Sequence, residues 1–275
     1  LLDGRLMLNL DTEDWGEFYL GCAGGLDVDA RAEGRPEPLP AGWRVRRLSL
    51  AGLRGGHSGV NIHEERGNAI KLLVRVLCDL AAGGPLRLAQ LRGGTARNAL
   101  PREAEAVIAV PPEQADALPA RVDTWQALLQ DELRGVESGL SLRLADADAD
   151  QVLAPANQTR WLHALHAAPH GVRRWSLDVP GVVETSNNLG IVELTPGGGH
   201  AVEAPAPRAV VGIVGRPDHS ADHERRHGDR SEDDRGGRQA EFRSRPASQR
   251  IGYQPAGVRQ CEVGGEECRA ILRMR

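Results

Sequence analysis

The chain has 275 residues, with 34 Lys and Arg against 38 Asp and Glu and a formal net charge of −4. That length allows one large or two ordinary domains, and that balance gives no electrostatic footprint for nucleic acid or an anionic membrane. No apolar run approaches the about 20 residues of a membrane span, and no basic segment followed by an apolar one marks a secretory leader.

Cys22, Cys78, Cys261 and Cys268 are scattered, which argues against a disulfide framework and for a reducing cytoplasm. Cys78 lies in an apolar helical pattern and reads as a small core residue, whereas Cys22, in a glycine-rich turn, is either structural or a reactive thiol. Lys71 is the only lysine, which reflects GC-rich coding more than function. The opening Leu1-Leu2-Asp3-Gly4 lacks a methionine and reads as the middle of something longer.

Leu6-Met7-Leu8-Asn9-Leu10 runs into Asp11-Thr12-Glu13-Asp14, the pattern of a buried strand with acids at its carboxyl end. Ligands collect at that end of α/β sheets; Asp11 there either ligates a metal or caps a turn. Gly16 to Gly25 reads as a second strand and a glycine turn. Ala30 to Gly42, rich in Pro, Gly and charge, reads as a loop before a domain boundary near Trp43. From Val45 the order is strand (Val45–Leu53), helix (Gly67–Ala82), strands (Leu86–Leu91 and Glu105–Val110), helix (Pro112–Glu137) and strand (Leu140–Leu144). This βαββαβ order predicts helices on one face of a mostly antiparallel sheet, with an edge strand open to a second copy. Gln151 to Ala168 reads as a further helix, and Gly181 to Leu194 as two strand pieces around a polar break.

Two loops carry chemistry. Leu53-Arg54-Gly55-Gly56-His57-Ser58-Gly59-Val60-Asn61-Ile62-His63 holds a histidine between glycines, which allow positive φ and close approach of a ligand or another chain. Its plainer reading is a strand-to-helix loop with one exposed imidazole. Arg92-Gly93-Gly94-Thr95-Ala96-Arg97-Asn98-Ala99-Leu100-Pro101-Arg102-Glu103 offers the amide of Asn98 and the guanidinium forks of Arg97 and Arg102 to a peptide carbonyl or carboxylate, or else closes a polar hairpin on itself.

At Pro196 the character changes. Leu272 is the only later leucine, and Phe242 is the only large apolar side chain between Arg216 and Arg250. Such a stretch cannot offset the entropy of ordering, and a low-order tail over 196–275 is expected. His219, His223 and His227 would share one face of a helix, and Cys261 and Cys268 could join them at a metal, but nothing nearby would support the ligands. A simpler account is out-of-frame coding, which predicts that another frame downstream of Leu194 encodes leucine-bearing elements.

Taken together, Leu8-Asn9-Leu10-Asp11-Thr12-Glu13, Gly21-Cys22-Ala23-Gly24-Gly25, Gly52-Leu53-Arg54-Gly55-Gly56-His57-Ser58-Gly59, Gly67-Asn68-Ala69, the Gly93-Gly94-Thr95 to Glu103 loop and Val183-Glu184-Thr185-Ser186 resemble the aminoacyl-histidine dipeptidases of the M20 metallopeptidase family, in order over residues 1 to about 195. The resemblance implies an α/β fold: a piece of a zinc-peptidase catalytic domain (1–44), a ferredoxin-like lid that also dimerises (45–195) and an unrelated tail (196–275). It implies cytoplasmic hydrolysis of Xaa-His and other dipeptides by a water activated at a zinc pair. Asp11 matches a zinc ligand. His57 matches the lid histidine that stabilises the oxyanion in the partner subunit's site of a homodimer, and Asn98, with Arg102 beside it, matches substrate-contacting residues. The family's other metal ligands and its general base precede the position of Asp11, and its last histidine ligand and a substrate-binding arginine should follow residue 195, where no motif matches. The expectation is an inactive fragment of a dipeptidase; the rival is a non-catalytic dimerisation or binding module derived from the lid.

Overall fold

The computed structural model describes residues 24–177 and 179–204, and outside that span the backbone of four short strands. The chain divides into two units. In the first, residues 1–22 and 211–255, β1 (Phe18–Tyr19) pairs antiparallel with β15 (Ile213–Val214).

The second unit, residues 23–210 and 256–275, holds everything else. It runs β2 (Leu26–Glu33), β3 (Pro36–Pro38), β4 (Arg44–Ala51), β5 (Gly56–His57), α1 (Ala69–Ala82), β6 (Arg87–Gly93), β7 (Ala99–Leu100), β8 (Ala104–Val110) and α2 (Pro112–Ala115). Then come α3 (Leu118–Glu132), β9 (Ser141–Asp146), β10 (Gln151–Leu153), α4 (Pro155–Ala167), β11 (Gly171–Trp175), β12 (Val183–Asn187), β13 (Leu189–Thr195), β14 (Gly198–Glu203), β16 (Arg259–Glu262) and β17 (Cys268–Met274). Nine strands form one antiparallel sheet in the order β16-β17-β2-β14-β13-β6-β8-β4-β9. Within it β9-β4-β8-β6, with α1 and α3, is the expected βαββαβ unit in ferredoxin-like strand order.

The period-2 alternation of these strands sorts their side chains. Leu48 and Leu50 of β4, Leu88 and Leu91 of β6, and Ala106 and Ile108 of β8 share one core with Ile70, Leu73, Val74, Leu77 and Leu80 of α1. Each such leucine contributes about 1.5–3 kcal/mol on burial. The other face is charged where no helix covers it: Glu105 lies 3.1 Å from Arg92 and 3.4 Å from Arg47. At one end of that face Val45, Ala89, Val107, Ala109 and Val152 form a small second cluster.

Several expected boundaries move. Residues 30–33 belong to β2, and Pro36-Glu37-Pro38, expected as loop, pairs with β10. Proline is tolerated there because β3 belongs to a two-stranded ribbon. The helix expected over Pro112–Glu137 is two helices, broken at Asp116–Ala117, and ends at Glu132; the one expected from Gln151 starts at Pro155 because Gln151–Leu153 is strand. On the far sides of the domain boundaries expected near residues 44 and 195, β2 and β14 pair with each other, and β14 with β13, in the same sheet. The Pro196-Gly197 turn, with Gly198 at φ +130°, returns the chain into β14, so residues 198–203, expected as part of a low-order tail, form a strand. The remaining expectations for the tail, including its histidines, lie outside the described residues.

α1 begins at Asn68, whose side chain accepts the Lys71 N–H at 3.1 Å. The Lys71 ammonium donates to the carbonyls of Leu165, His166 and Ala168 at 2.7–2.8 Å and so closes the C-terminus of α4. His170 follows, its Nδ1 3.2 Å from Asn68 Nδ2, and burial first, then the Lys71 charge, lowers its pKa from 6.5 to about 4. An unfolded chain binds a proton at His170 below pH 6.5 that the folded chain refuses until about 4. The stability held above pH 6.5 is therefore lost as pH falls toward 4, by about 3 kcal/mol. Glu203, raised by burial, acts in the opposite sense. Urea unfolding of His170→Gln between pH 7.5 and 4.5 should show a shallower loss of stability than the parent; equal slopes would refute the assignment.

Candidate functional site

The His57 loop and the Asn98 loop, 41 residues apart in the chain, are brought together by a two-residue ladder. β5 pairs with β7 with Gly56 opposite Leu100 and His57 opposite Ala99, and Ser58 N–H continues the contact to the Asn98 carbonyl at 2.8 Å. Arg102 joins from the other side: its backbone carbonyl accepts Leu53 N–H at 3.4 Å, its Nε donates to the Leu53 carbonyl at 3.3 Å, and its stem packs where a side chain on Gly55 (φ +66°) would have to go. His57, Asn98 and Arg102 are all exposed. The Nη groups of Arg102 have no partner among the described residues, and Arg102 lines a groove of ≈ 720 Å³ with Arg92, Glu105 and Glu193 on the uncovered side of the sheet.

The imidazole of His57 is held in one orientation. Its Nδ1 accepts the Gly59 N–H at 3.0 Å and the Val60 N–H at 3.3 Å. A backbone N–H can only donate, so Nδ1 is the acceptor nitrogen and the proton of the neutral ring sits on Nε2, directed away from the loop as a donor. A Cβ at position 59 would lie 3.2–3.3 Å from the ring, so glycine there permits the close turn. Asn61 Oδ1 accepts His57 N–H at 2.9 Å, while its amide donates to Glu64 at 2.6 Å. Arg66 grips Glu64 through Nε and Nη2 and donates from Nη1 to the Gly55 carbonyl at 2.5 Å. The Asn61 hydrogen bond first, then Arg66, holds the Glu64 carboxyl below its ordinary range.

Two further residues fasten the loops, and neither was singled out from the sequence. Asn188 is 1% exposed, and its amide nitrogen donates to the carbonyls of Arg97 and Ala99, on either side of Asn98, at 3.0 and 2.9 Å. Its signal was available as a polar residue between two apolar strand pieces. Close approach there also needs glycine: a Cβ on Gly94 (φ +68°) would overlap the Gly190 carbonyl, and one on Gly190 would lie 2.8 Å from the Arg97 carbonyl. Glu137 is 3% exposed and accepts Arg54 N–H at 2.7 Å and Gly67 N–H at 2.8 Å, at the two ends of the His57 loop. Nothing in its local sequence marks it, since its partners lie 83 and 70 residues away.

Asp11 lies outside the described residues. Among the described residues no three His, Cys, Asp or Glu side chains converge on a point that could hold a metal ion. No helix among them is long and apolar enough to cross a membrane.

Residues 48–137, which carry both loops, match the peptidase dimerisation domain of the M20 family. This segment is similar to an M20 dimerisation domain. The chain is 44% identical over 195 residues to the cytosol non-specific dipeptidase of Escherichia coli (strain K12), covering 70% of this chain and 40% of that one. It is also similar to the crystal structure of aminoacylhistidine dipeptidase from Vibrio alginolyticus, with a TM-score of 0.70 and 42% identity over 75% of this chain and 42% of that one. The chain thus spans about two fifths of the length of these relatives. Within the matched segment, the His57 loop is the strand-to-helix connection from β4 to α1, and the Asn98 loop connects β6 to β8.

Replacing Asn188 by Ala should leave the Arg97 and Ala99 carbonyls without their donor and cost about 1–3 kcal/mol. Urea denaturation measures the cost, and faster hydrogen exchange at Ser58 N–H, whose acceptor is Asn98, would localise it; a change below about 0.5 kcal/mol would contradict it.

Proposed function

We propose that this chain supplies the lid and dimerisation part of a dipeptidase acting on Xaa-His and other dipeptides. His57 donates from Nε2–H to the carbonyl oxygen of the scissile amide as water adds and charge gathers on that oxygen. The observation that carries this reading is the pair of backbone N–H groups on Nδ1, which leaves Nε2–H as a pre-oriented donor on an exposed loop. A donor set in advance costs no reorganisation when the oxyanion forms, and removal of one such donor typically lowers kcat about 10²–10³-fold. Asn98 and Arg102, exposed beside it, are proposed to hold the dipeptide through its carbonyl and carboxylate, for which an amide and a guanidinium fork are suited.

In this reading the active site is shared across a homodimer, with His57 reaching the partner subunit. Zinc enters as the cofactor that the family resemblance implies, with Asp11 as the ligand this chain would supply; the described residues do not assemble its site. The cytoplasm is the proposed compartment, in keeping with the name of the Escherichia coli relative. A second reading, favoured by the family match falling on the dimerisation domain, is a non-catalytic dimerisation or binding module derived from the peptidase lid.

Substituting residues 24–204 for the corresponding segment of the Escherichia coli relative provides the test. The chimera should hydrolyse an Xaa-His dipeptide, and His57→Ala in it should lower kcat about 10²-fold or more while metal content stays the same. Unchanged turnover in that variant would remove the oxyanion role. A chimera that dimerises, binds metal and has no hydrolytic activity would favour the binding module.

A further inference from the structure

The Glu137 carboxylate is buried, yet among the described residues no arginine, lysine or histidine lies within ion-pair distance of it. Its hydrogen bonds come instead from two backbone N–H groups, Arg54 to Oε2 at 2.7 Å and Gly67 to Oε1 at 2.8 Å. Burying a carboxylate away from water is expensive unless its oxygens are satisfied, so the site has to return something for it. These two donors mark where the loop leaves β4 and where it re-enters before α1, and everything from Gly55 to Arg66 lies between them.

We propose that Glu137 is a positioning residue that clasps the base of the His57 loop and thereby fixes which imidazole nitrogen carries the proton. The chain of contacts is continuous. Arg54 N–H is pinned by Oε2; Gly55, next to it, is held by Arg66 through its carbonyl; Gly56 and His57 then pair with β7; and Gly59 and Val60 turn their N–H groups onto Nδ1. At the other end, Gly67 N–H is pinned by Oε1, so the backbone directly after Arg66, whose guanidinium bonds Glu64 and the Gly55 carbonyl, is held by the same carboxylate. Two acceptor oxygens are required. A glutamine would turn an NH₂ group toward one of the two N–H donors, and an aspartate would have to span the same gap with a side chain one methylene shorter. The interaction acts on His57 through the loop and touches no substrate. It rests on the proposed role of His57 for its functional meaning, and on geometry alone for its structural content.

The test uses the full chain with ¹⁵N-labelled histidine, with the His57 signals assigned by their loss in His57→Gln. In the parent, His57 should show an unprotonated Nδ1 and a protonated Nε2, and the Gly59 amide should be protected from exchange. In Glu137→Gln the two ring nitrogens should move toward a mixture of tautomers, and Gly59 should exchange about tenfold faster or more, with Glu137→Asp between the two. Leu77→Ala, a cavity in the core away from the loop, should lower stability and leave the His57 signals alone. Parent-like ring nitrogens and Gly59 exchange in Glu137→Gln, or an equal disturbance in Leu77→Ala, would overturn the proposal. If Glu137→Gln does not fold, Glu137→Asp is judged by the same two readouts. No catalysis enters the measurement, so a failed oxyanion role in the chimera and a failed clasp here are separate results.

Discussion

A backbone N–H taken out of water must find an acceptor, and the presentation of His57 depends on where those acceptors come from. The loop between β4 and α1 is too irregular to satisfy itself through a ladder. It borrows a carboxylate from the turn after α3, an amide oxygen from Asn61 and a ring nitrogen from His57 itself. The same bonds that satisfy the loop therefore orient the imidazole. This is the sense in which an exposed histidine can be rigid: its surroundings are ordered even though its outer edge faces solvent.

The sheet contributes a second constraint by being different on its two faces. Leucines and alanines at alternate positions of β4, β6 and β8 are consumed by α1, which leaves Arg47, Arg92 and Glu105 to line the reverse side. Arg102 opens onto that charged groove, while its backbone belongs to the His57 loop. The two loops thus sit at the rim where the covered and uncovered faces meet. Interactions among the exposed charges there are worth little individually and are screened by salt, so the groove owes its form to the strands beneath it.

Much of this was legible in the residues. Leucine spacing from Ile70 to Leu80, the Gly83-Gly84-Pro85 stop and the alternation of Glu105–Val110 marked α1 and β8 closely, and glycine clusters marked both loops. Asn98, Arg97 and Arg102 are legible as groups suited to a peptide and His57 as a loop histidine open to a ligand or another chain; the structure pairs the two loops through β5 and β7, and the roles of these residues are a proposal. The misses share a cause. Pro36–Pro38 and Gln151–Leu153 are strands only because each finds the other more than a hundred residues away, and β14 is ordered by β13 and β2 despite a glycine-rich composition. Glu137 and Asn188 are long-range partners of backbone groups, which leave no trace in a sequence; only the polar break around Asn188 was visible there.

Asn188 donates to the carbonyls of Arg97 and Ala99 across separations of 91 and 89 residues, and Gly190 lies against the same loop. A ribosome delivers the βαββαβ unit first and the junction between β12 and β13, which carries Asn188, later. For the interval between, the nascent domain holds a formed α1 and a paired β4 and β8 with the loop bearing Asn98 still unfastened. Completion of the candidate site thus waits until residue 188 has been added, and a chain interrupted before it would lack the fastening of that loop.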